Sequence, residues 1–217
     1  MEKEGIRFLY QGGIGEIEEK KSRFIAELSP AKNEEEAVAF IGAKKKQYWD
    51  ARHNCHAFVI GSHGELQRCS DDGEPAGTAG RPMLEILLHE ELHDAVVVVT
   101  RYFGGVLLGT GGLIRAYQGA VQEALQHCRI ATRMTGFELS VSFAYTELGR
   151  IQHALMERSV PIADTIYADN VTIRCMVTES EKQAVAAALT DISSGKAALA
   201  FSDPLEYGLV DGEILKF

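Results

Sequence analysis

At 217 residues, with 46% hydrophobic and 24% charged side chains, the chain has the length and composition of one large or two small soluble domains. No apolar run approaches the roughly 18 residues of a membrane-spanning helix, and the charged opening MEKEGIRFLYQGG lacks the apolar stretch of a secretory signal, so the expected setting is the cytoplasm. The net charge of −9 divides into −3 over residues 1–135 (16 basic, 19 acidic) and −6 over residues 136–217 (6 basic, 12 acidic), so neither half is a basic domain that holds nucleic acid by phosphate neutralisation alone.

In chain order, residues 14–20 and 22–28 alternate as strands, with Lys20-Lys21-Ser22 as the hairpin turn. Pro30 stops the second strand and Asn33 caps a helix whose apolar face is Ala37, Val38, Phe40 and Ile41, continuing to Lys44 and Tyr48. Acidic residues fill its first turn and lysines its last, which suits the helix dipole. His53–Ile60 reads as a strand, Gly61–Gly64 as a turn and Leu66–Cys69 as the returning strand. A helix is predicted from Thr78 or Ala79 to His89, with Pro82 in its first turn. The β-branched run Ala95–Tyr102 is predicted as a central, covered strand, and Gly112–His127 as an amphipathic helix. Residues 129–136 are read as a linker, giving domains over residues 1–133 and 134–217. Beyond it the order is strand 137–143, helix 146–157, strands 160–167 and 171–177 joined at Asp169-Asn170, helix 179–192, and a last strand near 209–217. That order, βαββαβ, is the ferredoxin-like motif. The fold class is α+β in two domains.

Chemistry concentrates between Ser70 and Tyr117. SDDGEPAGTAGRP (70–82) and TRYFGGVLLGTGGLIRAY (100–117) hold eight of the 21 glycines, a density that implies turns or backbone approached closely by something else. The chain has no lysine between Lys46 and Lys182, so every cation there is arginine, whose planar fork suits carboxylate or phosphate. Gly109-Thr110-Gly111-Gly112 opens a helix and offers amide groups and a positive dipole end to an anion. Arg101 ends the preceding strand, at the end where crevices of open α/β sheets lie, and Arg115 sits in the helix's first turn. The expected anion-binding set is therefore Arg81, Arg101, Gly104, Gly105, Thr110, Gly111, Gly112 and Arg115. Asp71, Asp72, Glu74 and Thr78 form an acidic loop beside it, the acids either bracing the arginines or carrying a metal with a phosphate. His53, His56 and Tyr102 mark the site's edge.

Two metal-like patterns are set aside. His89-Glu90-Glu91-Leu92-His93 matches H-E-x-x-H, yet it lies where its helix gives way to a strand. His53-x-x-His56 sits on a strand, where alternation sends the two imidazoles to opposite faces. The four cysteines (Cys55, Cys69, Cys128, Cys175) lack the paired spacing of a zinc site. No metal and no cofactor is expected.

The segments ARHNCHAFVIG (51–61), SDDGEPAGTAGRPML (70–84) and VVVVTRYFGGVLLGTGGLIRAYQGAV (96–121) resemble, in order and spacing, the IMPACT family in its bacterial two-domain, YigZ-like branch. The resemblance covers most of residues 15–128. It implies a two-layer α/β first domain like a ribosomal small-subunit protein and elongation factor G domain IV. The second domain is implied to be ferredoxin-like, similar to elongation factor G domain V. Eukaryotic members are implicated in translational control by binding a regulator of a stress-activated kinase, with no established catalysis. This chain lacks their RWD-type domain, so their particular partner does not carry over.

The function implied is a translation-linked binding protein whose 71–117 loops engage the ribosome, RNA or a translation factor, with no membrane partner. The alternative is an enzyme that binds a phosphate-bearing ligand at the same loops. A deep polar pocket would favour the enzyme, a convex surface the binding protein.

Overall fold

The run AVVVVTRY has no polar side chain before Thr100, so it needs cover on both faces. In the computed structural model of the protein, which describes residues 5–216, it has that cover. The chain divides into two compact units, the first spanning residues 6–131. This unit contains β1 (Ile6–Gln11), β2 (Ile14–Glu19), β3 (Ser22–Pro30), α1 (Glu34–Gln47), β4 (His53–Ile60), β5 (Leu66–Ser70), α2 (Gly80–His89), β6 (Ala95–Tyr102) and α3 (Thr110–Leu125). Its sheet has the order β2-β3-β6-β4-β5, and every neighbouring pair is antiparallel. Residues Val97 and Val99 of β6 face α2 and α3, packing with Phe24, Cys55, Met83, Leu87, Leu113 and Tyr117. Val96 and Val98 face the other way, towards Ala37 and Ile41 of α1. Each such buried side chain contributes roughly 1.5–3 kcal/mol. The sheet with α2 and α3 makes the two-layer body, and α1 lies on the sheet's second face.

Local chemistry explains the element ends. Lys20 and Lys21 both take left-handed backbone (φ 46° and 66°), the turn a two-residue hairpin requires. Asn33 caps α1, its side chain accepting from the Glu36 amide at 2.9 Å, while Glu36 accepts from the Lys32 amide at 2.8 Å. Val38, expected on the apolar face, is 56% exposed. The buried face of α1 is narrower than the pattern suggested, because Lys44 and Tyr48 turn to Glu27 of β3. Strand β1 escaped the sequence reading, since IRFLYQ shows no strict alternation: the adjacent Phe8 and Leu9 are both buried. It is held where the Leu9 amide donates to His93 O (3.1 Å) and the His93 amide to Arg7 O (3.0 Å).

The chain passes to the second unit between Ala131 and Thr132, inside β7 (Arg129–Phe143). Residues 129–136 are therefore strand, not the expected linker. Gly136 is small there because a Cβ would stand 2.4 Å from Val177 O, and residues 132–136 of β7 pair with a late hairpin. After a 3-10 turn at Tyr145–Glu147 come α4 (Leu148–Glu157), β8 (Ile162–Tyr167), β9 (Val171–Val177), α5 (Glu179–Ile192), β10 (Ala198–Phe201), β11 (Leu205–Val210) and β12 (Glu213–Lys216). β10, β7, β9 and β8 lie side by side, all antiparallel, in the ferredoxin-like arrangement. Its core includes Leu139, Val141, Ile151, Leu155, Ile173 and Val185. The closing strand is Ala198–Phe201, too short to show a period. The stretch expected to close the fold instead forms the β11–β12 hairpin, and its last residue, Phe217, lies outside the described residues.

Candidate functional site

Strand alternation decides what Arg101 can meet. It shares a face with Val97 and Val99, so its side chain enters the layer between the sheet and α3. There it is 6% exposed, and a buried guanidinium needs a counter-charge. Glu74 supplies it: Arg101 Nη1 donates to Glu74 Oε1 at 2.7 Å, and the Tyr117 hydroxyl donates to the same oxygen at 2.8 Å. Nη2 reaches Ser22 Oγ at 3.5 Å, and the Phe24 and Phe103 rings lie 5.4 and 5.6 Å from the guanidinium. Among the described residues Arg101 Nε has no hydrogen-bond partner. The single S–H of Cys55 is shared between Asp71 O at 2.9 Å and Tyr117 Oη at 3.3 Å. Burial, then the neighbouring Cys55 and Glu74, push the Tyr117 pKa upward. Burial pushes Cys55 up to about 12, so both groups are neutral donors.

The acids of the 70–80 loop diverge. Asp71 accepts from the amides of Gly77 (2.8 Å), Ala79 (3.0 Å) and Gly80 (2.8 Å), satisfying the open start of α2. Burial alone would raise its pKa, but those three amides outweigh it and hold the carboxyl below its ordinary value. Asp72, in left-handed backbone at φ 44°, accepts from Lys45 Nζ (2.6 Å) and the Asn54 amide (2.7 Å). Its pKa is lowered too, again against burial, first by Lys45 and then by the Asn54 amide. Glu74 alone turns to Arg101. Among the described residues no three His, Cys, Asp or Glu side chains converge as a metal site.

A cleft of about 420 Å³ opens over Arg101. Every sheet pairing here is antiparallel, so the strand-end rule for parallel sheets does not account for it. The cleft forms because the loop bearing Glu74 and Pro75 and the loop from Phe103 to Gly109 stand up on either side of the strand ends. Arg52 and His53 enter from the start of β4. Leu107, Leu108 and Leu113 give an apolar wall. Phe103 is 51% and Leu107 83% exposed, with Val106 exposed between them. Thr110 lines the cleft at the head of α3, and no side chain caps that helix. The His53 Nδ1 lies 2.9 Å from Asp72 O.

Of the residues singled out in the sequence, the cleft brings together His53, Glu74, Arg101 and Thr110, with Gly111 and Gly112 in the same first turn. The others stand elsewhere. Arg81 pairs with Glu85 at 2.9 Å on the exposed side of α2. Thr78 is buried, donating to Pro75 O at 2.7 Å. Arg115 is exposed and lies back along α3, its Nη1 3.5 Å from where a Gly111 Cβ would be. The Gly104 amide donates to Ser22 Oγ at 3.2 Å, so it is not free for a ligand, and Gly105 takes left-handed backbone at φ 85°. Tyr102 faces away and donates to Asp50 at 2.8 Å. His56 also faces away, half-buried, and burial lowers its pKa. The H-E-x-x-H letters do not share a helical face: α2 ends at His89, Glu91 is left-handed (φ 51°), and His93 Nδ1 lies 2.9 Å from Gly61 O. The sequence reading passed over Arg52, Pro75, Leu107 and Leu108. The signal was the apolar string VLL between glycines, a composition that packs in most contexts.

Residues 20–125 match the Impact N-terminal domain, and residues 141–196 match a domain of unknown function, DUF1949. IMPACT family member YvyE of Bacillus subtilis is 45% identical over 186 residues, 86% of each chain. The chain belongs to the IMPACT family. IMPACT family member YigZ of Escherichia coli is 38% identical over 178 residues, covering 81% of this chain and 87% of that one. The crystal structure of a hypothetical protein superposes with a TM-score of 0.58 at 35% identity, covering 90% of this chain and 96% of that one. Every residue lining the cleft lies within the segment that matches the Impact N-terminal domain. Among the described residues no helix is long and apolar enough to cross a membrane.

Proposed function

We propose that this IMPACT family member is a translation-linked regulatory binding protein that works in the cytoplasm and grips a component of the translation machinery with its 71–117 loops. The observation carrying this reading is the rim of the cleft. Phe103, Val106 and Leu107 are exposed beside Arg52 and over a closed Arg101–Glu74 pair. Exposed apolar and aromatic side chains next to arginine are the composition of a docking surface. The link to translation extends to this chain what the family resemblance implies of the eukaryotic members. A protein on the ribosome, or a translation factor, suits an apolar rim better than bare RNA does. Within this surface the head of α3 (Thr110, Gly111, Gly112), with Arg101 beneath it, is the anion-receptive corner, and Arg115 lies behind it on the exposed side of the helix.

Co-sedimentation with ribosomes, alongside purified translation factors, tests the reading. Leu107→Asp and Phe103→Ala should lower retention at least tenfold while circular dichroism stays unchanged. Retention equal to wild type in both variants, or none by the wild type, sinks it. A second reading, an enzyme for a phosphate-bearing ligand, is favoured by His53 and Thr110 sharing one cleft with a helix N-terminus. Nucleotide titration that saturates where ribosome binding fails would select it.

A further inference from the structure

We propose that the cleft is a receptor for a short acidic and apolar peptide segment of a protein partner. It seats a side-chain carboxylate at the head of α3 and an aliphatic or aromatic side chain against Phe103, Leu107 and Leu113. This deepens the docking reading above and rests on it.

The case begins with unmet positive charge. Helix α3 runs 16 residues, has no acidic side chain in its first turn and no side-chain cap. Its first amides and dipole end present roughly half a positive charge to the cleft. Arg52 also lines the cleft, and among the described residues it has neither an ion-pair nor a hydrogen-bond partner. Beneath both lies Arg101, 6% exposed, its Nε a buried donor without an acceptor. Such a donor is costly to leave unmade, so Glu74 meets only part of the guanidinium's demand for acceptors.

The amount of charge selects the ligand. Glu74 already neutralises Arg101 at 2.7 Å, and the Tyr117 hydroxyl completes that oxygen. What remains is Arg52 and one helix end, a match for one carboxylate and a poor one for a phosphate dianion beside the Glu74 charge. Residues 1–135 sum to −3, which disfavours a polyanion further. The apolar wall then requires that the anion arrive on something apolar. The exposed rim, Phe103 to Leu107, extends that requirement beyond the cleft itself. A small metabolite would leave the rim in water, whereas a peptide chain covers it.

The chain carries a reporter. Its single tryptophan, Trp49, is 82% exposed on the connection between α1 and Arg52. Asp50, next to it, accepts from the hydroxyl of Tyr102, the residue after Arg101. The full chain is titrated, by Trp49 fluorescence and calorimetry, with four probes: an acetylated, amidated hexapeptide of Leu, Phe and Ser with a single Asp, the same peptide with Asn for Asp, inorganic phosphate, and an oligouridylate. The acidic peptide should bind at least tenfold more tightly than its Asn counterpart. Arg52→Ala should remove most of that difference and Arg52→Lys should restore part of it. Equal affinity for the two peptides, an unchanged Asp-to-Asn ratio in Arg52→Ala, or saturation by phosphate or oligouridylate alone overturns the proposal. The rim variants separate the two levels of failure. If Leu107→Asp loses ribosome co-sedimentation but the wild type does not prefer the acidic peptide, the occupant is wrong and the docking surface stands. If Leu107→Asp and Phe103→Ala both co-sediment like wild type, the docking reading falls as well.

Discussion

Arg101 and Glu74 lie 27 positions apart in sequence, and Tyr117 is 43 from Glu74. That acids of the 71–74 loop brace an arginine was one of the two roles the sequence offered them. Which acid reaches Arg101, and that Tyr117 leaves the apolar face of α3 to join them, was not legible, because no local period links the three and only the fold sets the distances. The pair changes what a substitution does. Glu74→Ala leaves a guanidinium buried without its partner, which should cost about 3–5 kcal/mol of unfolding free energy. Replacing both partners by apolar residues, Arg101→Met with Glu74→Leu, should cost much less, because no lone charge remains. Urea denaturation of the two variants checks the difference, and equal losses would show that the pair is not closed in solution. The acids Asp71 and Asp72 were legible as an acidic cluster. Their separate destinations, α2 amides for one and Lys45 for the other, were set by backbone turns that the letters do not display.

At the scale of elements, strong local signals were read correctly and weak ones were not. Ala95–Tyr102 stands where its β-branched run placed it, and Asn33 caps α1 as its position predicted. Ile6–Gln11 and Ala198–Phe201 carry no period long enough to read, and they become strands because neighbouring backbone offers them hydrogen bonds. Glycines divide in the same way. Gly15 lies where β2 meets α3, and a Cβ there would stand 2.4 Å from the Ala124 backbone nitrogen. Gly42, inside α1, would meet nothing within 4 Å. Gly15→Ala must push α3 off the sheet and should destabilise by about 1–3 kcal/mol. Gly42→Ala should stabilise by about 0.5–1 kcal/mol through helix propensity and a less mobile unfolded chain. Thermal unfolding of both proteins tests the contrast, and a stabilising Gly15→Ala would contradict the close approach.

Taken whole, the molecule has separate cores, one around the β2-β3-β6-β4-β5 sheet and one around β7, β9 and β10. We propose that each is an independently folding domain, with the first ending near residues 131–133. A fragment of residues 1–131 should unfold cooperatively on its own, as read by circular dichroism in urea. A fragment without a transition would show that it depends on the rest of the chain. The cleft lies entirely in that first part, and its two cations, Arg52 and Arg101, are both guanidinium groups in a stretch without lysine. A guanidinium has no free amine to acylate and keeps its charge at any pH the fold survives. Acetylating enzymes therefore have no direct handle on the charge at this surface. Control by acetylation would have to fall on the occupant instead.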